Sequence, residues 1–263
     1  MNLLAQSCCV DTSPLHSGGL VDDHMQAVFT AVFWASVALG VFVTILLLYS
    51  FVRFRRRSDD DDPVQFHGNT RLEIGWTLLP LIVFLSLFGF TAANMPFIND
   101  TPADAASNTV TVIGQQFSWS FDYGQAPSGK RIESFTTLYV PENTDVGLQI
   151  VSTDPPCTKP ATLNGGQTLA QAIAAEGCGV NHSFYVPSLA GQMNAIPGQV
   201  NTMWLNAREG HYYGQCTELC GVGHAQMLIE VVALPSNQYQ SCVFGNPNGT
   251  IDPASAACKP GGS

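Results

Sequence analysis

Between residues 214 and 227 the chain reads Gly-Gln-Cys-Thr-Glu-Leu-Cys-Gly-Val-Gly-His-Ala-Gln-Met, which puts two thiols, an imidazole and a thioether into one short loop. Cys216, Cys220, His224 and Met227 are soft or borderline donors, a set that favours copper over magnesium, calcium or manganese. A mononuclear blue-copper site uses one Cys, two His and a weak Met, so the second Cys needs a purpose. Two thiolates four residues apart can bridge two copper ions, and each ion then needs one terminal His and one weak axial donor. His182, in the strand-like run Val-Asn-His-Ser-Phe-Tyr-Val before Pro187, supplies the second imidazole. Plainer readings account for less. A Cys216–Cys220 disulfide leaves His224 and Met227 without a role, and structural zinc sites use C-x2-C or C-x4-C with a second pair rather than C-x3-C-x3-H-x2-M.

Outward from this loop, the chain reads as a membrane protein. Residues 25–52 carry no charge and include AVFTAVFWASVALGVFVTILLLYSFV, long enough to cross ~30 Å of hydrocarbon at 1.5 Å per residue. A second uncharged run covers 74–97, where Pro80 is tolerable because neighbouring groups re-satisfy the freed carbonyl. Residues 25–98 therefore form a helical hairpin in lipid. The loop 53–73 holds Arg53, Arg55, Arg56, Arg57 and Arg71, half of the ten basic residues, and the positive-inside rule makes it cytoplasmic. The Asp59–Asp62 run weighs weakly in orientation and reads as a solvated turn. Both termini and the C-terminal domain then lie outside a plasma membrane. The first run is too long for a signal-peptide core, and its arginines follow rather than precede it, so it reads as an anchor. Residues 1–24 read as a short external tail, in which Leu-Leu-Ala-Gln-Ser-Cys8-Cys9 only faintly suggests a processing signal.

Residues 99–107 are rich in turn formers and read as a linker. Beyond them, 109–113, 118–123, 134–140, 145–152, 182–186, 199–206 and 227–233 are short β-branched or alternating runs bounded by Gly, Pro and Asn. They predict an all-β Greek-key barrel or sandwich over 108–235, long enough for its own core. Helical signals are confined to 168–176, and 236–263 reads as a tail. The net charge is −10, and taking out the arginine-rich loop leaves the external part strongly acidic. That surface should repel nucleic acid and attract a basic partner in a salt-dependent way.

The segments from His182 to Leu189, Ala195-Ile-Pro-Gly198 and Gly214 to Met227 resemble the copper domain of cytochrome c oxidase subunit II, a cupredoxin-like fold. The resemblance covers about residues 20 to 235. It implies a binuclear copper centre, called CuA, bridged by Cys216 and Cys220. His182, His224, Met227 and the Glu218 carbonyl complete its shell, and the Glu218 side chain is a ligand to magnesium at the boundary with catalytic subunit I. The implied role is to take electrons from a c-type cytochrome and pass them to haem in subunit I, where oxygen is reduced to water. The chain has no Cys-x-x-Cys-His for a covalent haem of its own. His67-Gly-Asn-Thr-Arg-Leu-Glu-Ile-Gly-Trp-Thr77 is also similar to the family, and implies that Glu73 stands at the mouth of a proton channel.

Departures from the family pattern are informative. Its Gln-Trp-x-Trp segment, where electrons enter, is here Gln116-Phe117-Ser118-Trp119, which leaves Phe117 and Trp119 as alternatives. Positions where the family often has Asp and Arg are Asn194 and Gln199. The pattern Ser-x-Asp-Val-x-His is split by an insertion over 155–179, and Cys157 and Cys178 bracket it. A disulfide at that neck would keep His182 in register and contribute ~3 kcal/mol in the chain-entropy model. Cys242 and Cys258 could likewise pin the tail, and both pairings suit an oxidising exterior. Three other functions share parts of this pattern. Nitrous oxide reductase has a similar loop without the spans. A CuA subunit of a nitric oxide reductase is distinguished only by the Glu73 motif. A membrane-tethered copper carrier would need neither Glu218 nor the hairpin.

Overall fold

The computed structural model describes residues 17–55, 68–154, 157, 163, 165–246, 249 and 251–260. Arg56, Arg57, Asp59–Asp62, His67, Cys8 and Cys9 lie outside the described residues, as does part of the 155–179 insertion. The chain divides into two compact units, Met25–Pro96 and a second made of the residues up to His24 together with those from Phe97 onward.

The first unit consists of most of two long helices, α1 (Leu20–Arg53) and α2 (Thr70–Asn99). Each extends beyond the uncharged run that predicts it, adding polar turns at its ends. Their apolar side chains stay exposed, Phe51 at 75% and Leu47 at 66% among them, as expected of surfaces whose solvent is lipid. Three hydroxyls inside the spans bond to their own helix: Ser36, Thr44 and Ser86 donate to the carbonyls of Val32, Gly40 and Ile82 at 2.7–2.8 Å.

The second unit is a sandwich of two five-stranded sheets. One orders β3 (Arg131–Phe135), β2 (Ser118–Gln125), β1 (Thr109–Gln115), β5 (Val146–Ser152) and β8 (Asn201–Leu205). The other orders β4 (Thr137–Pro141), β10 (Leu228–Leu234), β9 (Gly210–Cys216), β6 (His182–Tyr185) and β7 (Gln192–Ala195). Pairing is antiparallel except for β1 with β5 and β10 with β4. Among the described residues no ladder joins the sheets, so the domain is a sandwich rather than a closed barrel. Aromatic rings lock them face to face: Phe184 of β6 meets Trp119 and Phe121 of β2 edge-on, with centroids 5.6 and 6.4 Å apart.

The run 134–140, expected as one strand, is two. Thr136 takes a left-handed conformation (φ 66°), bending the chain so that β3 and β4 join different sheets. β7 is only four residues long and β9 is interrupted by glycine and polar side chains, and neither is among the expected strands. The expected linker contains a short helix, α3 (Ala103–Ser107). The insertion carries α4 (Leu169–Glu176), opened by a capping box between Thr168 and Gln171 and closed by Gly177 in the left-handed region. Its Leu169, Ala170 and Ile173 pack on Ile113 and Val151.

Neither expected tail is loose over its described residues. After β10, α5 (Ser236–Tyr239) and the turn Gln240–Phe244 bury Tyr239, Cys242 and Val243 against Ile132, Tyr139 and Leu234. A Cys242–Cys258 disulfide ties this cap together, and a Cys157–Cys178 disulfide closes the neck of the insertion. At the other end of the chain, Gly19 bridges Ala207 and Gly18 exchanges backbone hydrogen bonds with Ser188 and Arg208 at 2.7 and 2.9 Å. Arg208 also pairs with Asp23 at 2.6 Å. A Cβ on Gly19 would stand 1.9 Å from the Asn206 carbonyl oxygen, so only glycine fits this bridge.

Candidate metal centre

The loop from Cys216 to Met227 is the connection between β9 and β10, closed at its base by the Cys216 amide donating to the Met227 carbonyl at 3.0 Å. β6 lies beside β9 with Phe184 opposite Cys216, and the Thr217 amide continues the ladder to the Ser183 carbonyl at 3.1 Å. One step further along the same register stands His182, over the loop. Sheet register therefore brings together residues that sequence places far apart.

The donor atoms of His182, Cys216 and Cys220 lie within 4.8 Å of one another, all three side chains buried. Cys220 Sγ is 3.6 Å from His224 Nδ1 and 3.9 Å from Met227 Sδ, and Met227 is 1% exposed. Cys216 Sγ is 3.3 Å from the Glu218 carbonyl oxygen. Both cysteines are free thiols in this structure. The six residues expected around copper thus converge on one spot, with Glu218 represented by its backbone.

A residue the sequence reading used only as a landmark holds the site from behind. Asp154, 1% exposed, accepts hydrogen bonds from the Gln116 and Val180 amides, the latter at 2.9 Å, and from His182 Nε2 at 3.1 Å. A carboxylate only accepts, so Nε2 carries the proton and the lone pair of Nδ1 is left over. Nδ1 is buried with no hydrogen-bond partner. A buried, unpartnered ring nitrogen among two thiols and a thioether fits a soft metal ion and little else. Ser-Thr-Asp154 was visible in the sequence, but its reach to His182 across the insertion was not.

Electrostatics agree with this assignment. Burial works against the Cys216 thiolate, yet His182 and the backbone groups of Ser183 and Glu218 outweigh it and hold its pKa down to about 7. Burial and the neighbouring Cys216 push Cys220 up to about 11. Burial also works against a charged His182, but Cys216 and Asp154 outweigh it and leave its pKa raised. Without a cation between them, two thiols this close cannot both ionise easily.

Trp119 is fully buried, its ring 6.1 Å from that of His182 in an edge-on contact. Phe117 is only half-buried and lies across the metal loop, where a Cβ on Gly223 would fall 2.4 Å from its Cγ. Gln116 fastens this aromatic hairpin by donating from Nε2 to the Cys220 carbonyl. Glu73 belongs to the other unit and has a local partner: its Oε1 accepts from the Asn69 amide at 3.2 Å while Asn69 Oδ1 accepts from Leu72 at 3.2 Å, reciprocal capping at the start of α2.

Comparison with known proteins follows the same division of the chain. The family described as cytochrome c oxidase subunit II, periplasmic domain, matches residues 108–234, and the family described as its transmembrane domain matches 17–91. Subunit 2 of Wickerhamomyces canadensis cytochrome c oxidase is 31% identical over 87% of this chain and 88% of its own length. The Alkalihalophilus pseudofirmus subunit is 33% identical over 83% of this chain, which spans 56% of that relative's length. The periplasmic domain of subunit II from Bradyrhizobium japonicum is 26% identical, covering 54% of this chain and 92% of that one with a TM-score of 0.40. With the first helix, most of the second, the β-sandwich and the thiol-imidazole cluster inside the matched segments, the chain is a membrane-anchored member of the cytochrome c oxidase subunit II family.

Proposed function

We propose that this chain is the electron-accepting subunit of a respiratory terminal oxidase, built around a binuclear copper centre. The observation that carries the reading is the convergence of two free buried thiols, the unpartnered Nδ1 of His182, His224 and the Met227 thioether on one loop. His182, Cys216, Cys220, His224, Met227 and the Glu218 carbonyl would hold the ions. When bound, the copper pair supplies a one-electron couple.

The protein groups do the rest. Asp154 fixes the tautomer and tilt of His182, as an outer carboxylate does for many metal-bound imidazoles. The sheets bury the thiols and keep water from them, while Phe117, half-buried, packs its ring against Gly221 and Gly223 of the loop. A c-type cytochrome delivers electrons at this face, and Phe117 or Trp119 lies on their way in. They leave towards haem in catalytic subunit I, where oxygen is reduced to water. The Glu218 side chain would hold magnesium at that subunit boundary, and Glu73 would serve a proton path in addition to its capping role. The arginine-rich loop, by the positive-inside rule, supports a β-domain on the outer side of the plasma membrane. The Gly19–Ala207 bridge supports this topology, because it needs both flanks of the hairpin on one side.

Copper loading of the full-length chain in detergent, followed by electron paramagnetic resonance, tests the reading. A seven-line copper hyperfine pattern is expected from a mixed-valence pair. A four-line mononuclear pattern would overturn it in favour of a copper carrier, and no bound copper would overturn it in favour of a structural Cys216–Cys220 disulfide. The full chain is needed because residues 17–24 belong to the β-domain unit.

A further inference from the structure

The surface around the metal loop does not share the acidity of the chain. From Gly177 to Ala207 there is no Asp, Glu, Lys or Arg, nor is there one from Gly114 to Phe121. In the loop itself Glu218 is the sole charged side chain. Beside the rim stands one more carboxylate, Glu176, at the end of α4 where Gly177 approaches Gly198. Asp154 is close by but buried behind His182, and of the acids on other parts of the domain Asp145 is bonded to Asn206 and Asp23 to Arg208 near the start of α1, while Asp122 pairs with Arg131 and Glu230 with His211 on the sheets. What the rim presents is Gln116, Phe117, Asn194 and Gln226 with two apolar side chains, Leu219 at 79% exposure and Val222 fully exposed.

We infer that the electron donor is recognised at this rim through uncharged and apolar contacts, so that the partner is a small one-electron carrier whose prosthetic-group edge is framed by uncharged side chains. The inference rests on the electron-accepting function proposed above and specifies its partner. A donor ringed with lysines would lose hydration on each ammonium it pressed against this rim and find almost no carboxylate in return. An apolar ring loses nothing there and covers Leu219 and Val222, side chains of the kind that fill the centre of an interface rather than its margin. The acidic groups set the net charge of the protein without steering encounters at the metal loop, since beyond ~8 Å at physiological salt their field is screened.

The test follows bleaching of the copper absorption band in the full-length, copper-loaded chain by stopped flow. The donor is a lysine-rich reduced c-type cytochrome, with hexaammineruthenium(II) as a small reductant that reports whether the copper is competent in each variant. For the unmodified chain the cytochrome rate constant should change less than threefold between 100 and 300 mM salt, a range in which distant charges are screened. Asn194→Asp, alone and with Val222→Asp, should make the reaction faster at 100 mM than at 300 mM, by threefold or more for the double variant, as charge steering predicts. A fall of threefold or more with salt in the unmodified chain would overturn the inference while leaving the copper function standing. So would rates that ignore both substitutions, which would place the apolar side chains against another subunit. Absence of the copper band would overturn the electron-accepting function and this inference together.

Discussion

Two pairs of buried cysteines in one β-domain have opposite fates. Cys216 and Cys220, each 3% exposed, remain free thiols, whereas Cys242 and Cys258, 5% and 3% exposed, are joined. Burial is therefore not what separates them. Around the first pair stand His182, His224 and Met227, and around the second Tyr239, Val243 and Ile251. Sulfur among nitrogen and thioether donors is a ligand set. Sulfur among hydrocarbon is a crosslink. The neighbours, not the cysteines, decide which.

Exchanging the roles by mutation should show this. The largest effect is expected from Cys216→Ser or Cys220→Ser, either of which should abolish the binuclear copper signal outright, while Cys242→Ser leaves it intact. Retention of a seven-line spectrum in Cys220→Ser would break the comparison. Removing the Cys242–Cys258 crosslink, with its sequence separation of 16, should cost about 3 kcal/mol of unfolding free energy in chemical denaturation. An unchanged midpoint would mean that the hydrocarbon packing of the cap suffices without the bond.

Asp154→Asn keeps the shape of the support behind His182 but removes its charge, and should weaken copper binding by ~10- to 100-fold in competition titrations. A smaller effect concerns pH in the copper-free chain, and its sign differs for the two thiols. Cys216, lowered from 9.0 to about 7, adds stability that is complete above pH 9 and disappears as pH falls through 7. Cys220, raised from 9.0 to about 11, favours the folded state below pH 9 and loses that contribution as pH rises through 11. Thermal melts of the metal-free chain should peak near pH 9, and the peak should vanish in the double Ser variant.

Much of this was legible in the sequence, for physical reasons that differ by region. Uncharged runs of bilayer length gave the two helices directly. The copper loop was legible because its donors sit within twelve consecutive positions of one hairpin connection, where spacing alone limits geometry. Asp154 was not, because its contact with His182 is made by sheet register across an insertion, and periodicity carries no information about that. β7 escaped notice because four residues are too few for an alternation to register, and β9 because its glycines and polar side chains lack the alternation that marks a half-buried strand. The C-terminal cap looked like a tail because its helical stretch, carrying Tyr239 and Val243, is short and largely polar, and Ile251 joins it from a turn beyond.

The join between Gly19 and Ala207 sets an order of events in biosynthesis. Ser17 and Arg208, hydrogen-bonded in the finished protein, are 191 residues apart in sequence. Under the proposed topology the segment before α1 crosses the membrane before its partners do, and meets them only when the far strands have been synthesised and carried over after it. Closing so long a circuit is slow, and until it closes the Gly18 amide and carbonyl lack Ser188 and Arg208 as partners.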